Sequence, residues 1–498
     1  MTDGGSAPAL RGARPGWAAL ALAFVTGAVI AVGQAPLGWW WLALPALALV
    51  IRQVARGGRG AVWLAWFAGA GHYAAALNWI VEPFLIAPEV HGWMAPFAVV
   101  FLCFGLALFW AVAAFVGARG PWPGMGFAVA LGAAELARGY VLTGFPWAAL
   151  GHVWVDHAPM QVAALVGPSG LTLLTLLVSG LVALWRPMPV VAGTALLVAL
   201  FAYGLWREVQ LAPAAQGAVL RLVQPNAEQG LKWEPEQARV FFERQLDFTM
   251  AGARPDLVIW PETAVPYLLE DYPEVAARIG AAGRGRPVAV GIQRVEGWRF
   301  WNSLAVIGPE GRVAQHYDKH HLVPFGEYIP FGDVMHDWFG LVAFAAQQGN
   351  GYSAGPGPAV LDLGDGLGKV LPLICYEAVF PQVLRGAPER ADWILQITND
   401  AWFGEWTGPY QHLAQAQLRA VEQGLPFVRV ANTGVSALID ARGRVVDSLP
   451  LGEEGYLDVV LPGALAAPPY ARWGEVPVLL LLAGLGLGLV LAARRKAA

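Results

Sequence analysis

Seven apolar runs fill the first 206 residues of this chain, and an eighth nearly ends it. They lie at about 17–32, 38–51, 61–80, 96–117, 124–143, 160–185, 187–206 and 476–493. Runs of this kind read as membrane-spanning helices, because about 20 apolar residues cross the hydrocarbon layer. The run at 38–51 is short and must borrow flanking residues. Arg11 and Arg14 before the first run also fit a signal peptide, but further spans follow at once. With 56% hydrophobic and only 14% charged residues, the chain departs from the roughly 25% charge of soluble proteins.

The loop charges orient the bundle. Arg52, Arg56 and Arg59 separate the second and third spans, Arg119 the fourth and fifth, and Arg186 the sixth and seventh. Arg494, Arg495 and Lys496 close the chain. The alternate loops, around Gln34, 81–95 and 144–159, hold no Lys or Arg. Basic loops stay cytoplasmic, so both termini face the cytoplasm and the long segment before the last span lies outside it. Glu135 and Arg138 interrupt the fifth span on one helix face; a structural ion pair and a role near a lipid headgroup both fit.

Residues 207–472 differ in composition and hold most of the charge. Short β-rich runs recur there: 219–223, 257–260, 288–292, 303–307, 370–374, 393–398, 427–430, 436–439 and 456–460. Two helices are expected between them. Glu236–Met250 has apolar Val240, Phe241 and Phe248. Pro409–Gly424 has Thr407 as a cap and Gly424 at its end. Strands alternating with helices predict an α/β domain, and turns at Pro309–Gly311 and Ala441–Gly443 predict a mixed sheet. The organisation is thus 1–206 as seven membrane helices, 207–472 as an extracytoplasmic domain, and 473–498 as an eighth helix with a cytoplasmic tail. A net charge of −4 gives no nucleic-acid signal, and two distant cysteines make no disulfide framework.

Three polar points stand beside apolar strands: Trp260-Pro-Glu262-Thr, Tyr317-Asp-Lys319-His-His, and Ile374-Cys375-Tyr376-Glu377. Catalytic groups of α/β folds gather at strand ends. A carboxylate can deprotonate a thiol, and an ammonium can stabilise an oxyanion, so Glu, Lys and Cys suffice for acyl transfer. A small buried hydrophobe is the commoner role for a free cysteine such as Cys375, and His316, His320 and His321 allow a Cys–His pair. His316 and His320 have the i,i+4 spacing of a metal pair, but no further ligand cluster accompanies them.

In this order the segments resemble the nitrilase superfamily, and most closely its membrane branch, the apolipoprotein N-acyltransferases. The resemblance runs through Gln224-Pro-Asn226, Leu231-Lys-Trp233, Trp260-Pro-Glu262-Thr, Tyr317-Asp-Lys319, Pro324-Phe-Gly-Glu327-Tyr-Ile-Pro, Ile374-Cys375-Tyr-Glu377, Thr398-Asn-Asp-Ala-Trp402-Phe-Gly and Arg429-Val-Ala-Asn-Thr-Gly. Gly144-Phe-Pro-Trp147 and the eight-span layout fit it too. It implies an αββα sandwich on a helical membrane bundle, with Cys375 as nucleophile, Glu262 as general base, Lys319 as oxyanion stabiliser and Glu327 as second active-site glutamate. Trp233, Tyr376 and Glu377 match positions needed for activity, and Trp402 an aromatic near the substrate entrance.

It further implies a phospholipid acyl donor, a diacylated apolipoprotein acceptor, no cofactor or metal, a monomer, and a bacterial inner membrane. An apolar stretch at 334–346 reads either as a membrane-dipping lid or as a buried helix. Two alternatives share the sequence. One is a membrane-anchored amidase acting on a soluble amide, which would need only one anchor. The other is a transporter or scaffold with a non-catalytic outer domain.

Overall fold

The computed structural model describes residues 14–211, 214, 217–329, 351–364 and 366–497. The 334–346 stretch lies outside the described residues. A helix stands at each expected apolar run: Trp17–Ile30, Trp40–Arg56, Ala61–Ala76, Ala95–Leu106 with Leu108–Gly117, Pro123–Arg138, Ala163–Ala183, Pro187–Glu208 and Val476–Ala497. Among the described residues, four helical stretches are long and apolar enough to cross a membrane: Pro88–Gly117, Ala158–Ala183, Pro187–Glu208 and Val476–Arg495.

The fifth helix stops at Arg138, five residues short of the expected 143. The cause is local. An Arg138 Nη1 donates to the carbonyls of Phe145 and of Trp147, the latter at 2.8 Å, and folds the chain back. Its other nitrogen pairs with Glu135 at 2.6 Å, and Glu135 accepts from Tyr73 and Trp110 at 2.8 and 3.0 Å. Burial requires such pairing, because an unpaired charge at this depth is costly. The pair is therefore an internal brace for the loop 139–149.

Residues 219–460 contain two six-stranded sheets. The first is built from β1 (Val219–Gln224), β2 (Leu257–Ile259), β3 (Val288–Glu296), β4 (Arg299–Ile307) and β5 (Val313–Asp318). The second holds β6 (Leu361–Asp362), β7 (Lys369–Ile374), β8 (Trp393–Thr398), β9 (Phe427–Ala431), β10 (Ser436–Ile439) and β11 (Val445–Leu449). β12 (Gly455–Val460) returns to the first sheet. The orders are β12-β1-β2-β3-β4-β5 and β11-β10-β9-β8-β7-β6. Both are mixed: β1–β2–β3 and β7–β8–β9 run parallel, the other neighbours antiparallel.

Alternation along each strand sorts the side chains into layers. Ile259, Ala289 and Leu304 face the second sheet, in one core with Leu395, Ile397 and Val428. Val258, Val288 and Ile307 face the other way, onto helices Pro235–Met250 and Pro273–Ala282. In the first of these helices Phe242 and Leu246 are buried, while Val240 is half exposed, so the apolar face is turned from the expected one. Helix Gly408–Gln423 covers the second sheet, and its far side, at Leu418 and Val421, packs on Val153, Trp154 and Met160 of the membrane part. Gly424 closes that helix at φ 63°. Thr407 does not cap it; its hydroxyl donates to Asn78 of the membrane part at 2.9 Å.

Candidate active site

β4 reverses the direction of β3 and β5 reverses it again, so β2 and β5 end at the same sheet edge. Glu262 follows β2, Lys319 follows β5, and Cys375 follows β7 of the facing sheet. Residues 55 or more apart in sequence thus converge. Lys319 Nζ lies 2.9 Å from Glu327 Oε1 and 3.7 Å from Glu262 Oε1. The Cys375 thiol bonds the Thr398 side chain and lies within electrostatic reach of both Glu262 and Lys319. All four groups are buried.

Two asparagines hold the carboxylates. Asn302 Nδ2 donates to Glu262 Oε1 at 2.7 Å and to Glu327 Oε1 at 3.1 Å. The Asn399 N–H donates to Glu262 Oε2 at 2.8 Å, and the Val323 N–H to Glu327 Oε2 at 2.8 Å. Sequence reasoning missed Asn302. Its signal is a polar residue in the middle of an apolar strand, which must find a partner when buried.

Cys375 is in the left-handed region at φ 52°. Such strain persists only where neighbours over-determine it. Here Gln396 Nε2 donates to the Cys375 carbonyl at 2.9 Å, and His412 Nε2 lies 3.2 Å from the same oxygen. His412 is fixed by Asp400 at 2.9 Å, and Arg429 pairs with Asp400 and donates to Gln396 at 2.6 Å. His412 and Gln396 were not singled out from sequence; they are buried polar residues behind Cys375.

Glu377 is a clamp. Its Oε1 accepts from Tyr317 at 2.8 Å and from the His320 and His321 amides at 2.9 and 3.1 Å, and Oε2 accepts from the Ile374 amide at 2.8 Å. One carboxylate therefore ties the Lys319 loop to the Cys375 turn. Tyr376 packs edge-on to Phe380 at 4.8 Å and beside His321. Trp233 and Trp402 are half-buried on the loops after β1 and β8, at the same edge of the fold.

The membrane part contributes to this floor. Gly144 lies against Phe380, and the His321 ring bonds the Thr143 backbone. Trp147 stacks on His412 with ring centres 5.5 Å apart and donates to Gln411 at 2.8 Å.

The electrostatics suit a thiol that waits in its neutral form. Burial pushes the Cys375 thiol up, and Glu262 pushes it further, while Lys319 opposes. Burial raises the Glu262 carboxyl, against the pull of Lys319, and Glu327 adds to the rise. Burial alone would lower the Lys319 ammonium, but Glu327 and Glu262 outweigh it and hold the charge in place. A carboxylate and a charged ammonium, both within electrostatic reach of a thiol, can move the thiol proton as an electrophile arrives and stabilise the oxyanion that forms.

The Carbon-nitrogen hydrolase family model matches residues 209–467, and the Apolipoprotein N-acyltransferase N-terminal domain model matches residues 26–181. The apolipoprotein N-acyltransferase of Caulobacter vibrioides is 38% identical over 94% of this chain and 93% of its own. That of Brucella melitensis is 36% identical over 97% of each. The chain belongs to the apolipoprotein N-acyltransferase family. Among solved structures, an amidase from Nesterenkonia sp. is 19% identical over 54% of this chain and 98% of that one, with a TM-score of 0.38, too slight to bear on function. As a member of the apolipoprotein N-acyltransferases the protein is a membrane acyltransferase of lipoprotein maturation, and the soluble-amidase reading is not favoured.

Proposed function

We propose that Cys375 takes an acyl chain from a phospholipid and passes it to the N-terminal amine of a diacylglyceryl-cysteine. Glu262 removes the thiol proton as Sγ attacks the ester carbonyl. The oxyanion forms against the Lys319 ammonium and the backbone N–H after Cys375. Collapse breaks the ester C–O bond, Glu262 returns its proton to the departing alcohol, and a lysophospholipid leaves. The amine then attacks the thioester, Glu262 takes its proton, and the thiolate departs and is reprotonated. The supporting observation is the single ammonium shared by Glu262 and Glu327 beside the thiol.

The same reading gives eight spans over 1–206 and 473–498, an extracytoplasmic domain at 207–472, cytoplasmic termini and a monomer. It places Trp233, Tyr376 and Trp402 near the acyl chains. The basic loops and the packing of the outer domain on the membrane helices support it. The test is transfer of a palmitoyl group from phosphatidylethanolamine to a synthetic diacylated lipopeptide by the full chain. Wild type should form the triacylated product, and Cys375→Ser and Glu262→Gln should form none. Product from Cys375→Ser would refute the proposal.

A further inference from the structure

Lys232 is a lysine with almost no access to water and no role in the reaction as described above. It lies on the turn after β1, and its side chain reaches under the loop that carries Glu262. Its Nζ donates to the Thr263 hydroxyl at 2.8 Å and to the Glu262 carbonyl at 3.2 Å. That loop needs holding. Thr263 sits at φ 45°, a left-handed conformation that a β-branched residue adopts only under constraint. On its other side the loop presses on Gly291, where a Cβ would come within 2.3 Å of the Pro261 oxygen and 2.6 Å of the Glu262 Cα. Gly291 sets the approach from one side, and Lys232 ties the loop from the other.

We infer that Lys232 is a positioning residue for the general base: its ammonium locks the strained Glu262–Thr263 turn. The inference rests on the assignment of Glu262 as base. The lock fixes the Glu262 Cα, so that the carboxylate meets Asn302, Asn399 and Lys319 together. A buried ammonium close to this carboxylate also favours its ionised form, and burial holds the Lys232 ammonium itself down to about 8 against the pull of Glu262. The titratable groups that bear on Glu262 are Lys319 and Lys232, which favour its charge, and Glu327, which opposes it; Cys375 and Tyr352 also interact with it. Lys232 is thus one of two positive charges at a carboxyl that burial drives towards neutrality.

The experiment is the single-turnover rate of acyl-thioester formation from phospholipid, against pH, with the full-length enzyme in detergent. Lys232→Met should lower the rate at neutral pH about tenfold or more, with substrate affinity within twofold of wild type. Its acid limb should move up by about half a pH unit or more, because the carboxyl loses a favourable charge. Lys232→Arg, which keeps charge and donors, should return the limb to the wild-type position. A Lys232→Met rate within twofold of wild type, or an unmoved limb, overturns the inference. Should Lys232→Met fail to fold, Thr263→Val removes one acceptor and keeps the shape. It should slow thioester formation about threefold or more, and an unchanged rate overturns the lock. Glu262→Gln separates the two layers. If it still forms the thioester, the base assignment fails; if it is inactive while Lys232→Met is silent, only the role of Lys232 fails.

Discussion

The Lys319 ammonium lies 2.9 Å from Glu327 Oε1, closer than to any oxygen of Glu262. Glu327 therefore holds the ammonium more closely, and Glu262 is the carboxylate that the proposed mechanism uses as base. Glu327→Gln removes the negative partner but keeps the shape. Thioester formation should slow by about 10- to 100-fold, since a charge-assisted bond is replaced by a neutral one. Stopped-flow rates with an activated acyl ester check this.

The pH dependence follows from Glu262. Burial holds its carboxyl above the ordinary 4.5. The base form is lost as pH falls through this raised value. Thioester formation should therefore decline on the acid side at a pH clearly above that of a surface carboxylate, and remain high above it. A rate profile between pH 4 and 8 reads the limb.

Asp400 gives a stability prediction. Burial alone would raise its carboxyl, but Arg429 and His412 outweigh it and hold it down, from an ordinary 3.8 to about 2. A depressed carboxyl stabilises the fold fully above the unfolded value and loses that contribution as pH falls from about 4 through about 2. Thermal midpoints in detergent should fall over this window. Asp400→Asn should flatten that fall, and should cost about 3–5 kcal/mol at neutral pH by leaving Arg429 buried without its partner.

Much of the fold is legible in the sequence. Nine β-rich runs became strands; eight are central strands, whose burial on both faces goes with apolar sequence, and the ninth, β12, is an edge strand. Missed were β5, β6 and β11. β5 and β11 flank their sheets, with β5 reading Val-Ala-Gln-His-Tyr-Asp, and exposed edge strands carry polar residues that erase the alternation. The spacing of Glu262, Lys319 and Cys375 was visible, but not what holds them. Asn302 and Gln396 bond loops that follow other strands of their own sheets, His412 reaches from a helix to the Cys375 turn, and no local pattern records such contacts. Glu377, read as a group needed for activity, is shielded from solvent with both oxygens occupied by the protein.

Trp147 tests whether the membrane part supports the chemistry. Its ring stacks on His412, which reaches the Cys375 carbonyl. Trp147→Ala should destabilise the protein by about 3–5 kcal/mol and slow thioester formation even with a short, soluble acyl ester. Trp147→Phe keeps the stacking and loses only the bond to Gln411, at about 1 kcal/mol. Differential scanning fluorimetry paired with the ester assay distinguishes them.

The most direct measurement is the intact mass of the enzyme after brief mixing with a dipalmitoyl phospholipid, without acceptor. One palmitoyl group should appear on Cys375, be released by neutral hydroxylamine, and be lost on adding a diacylated lipopeptide. An enzyme that acylates the lipopeptide yet never carries that group on Cys375 would contradict the thioester route.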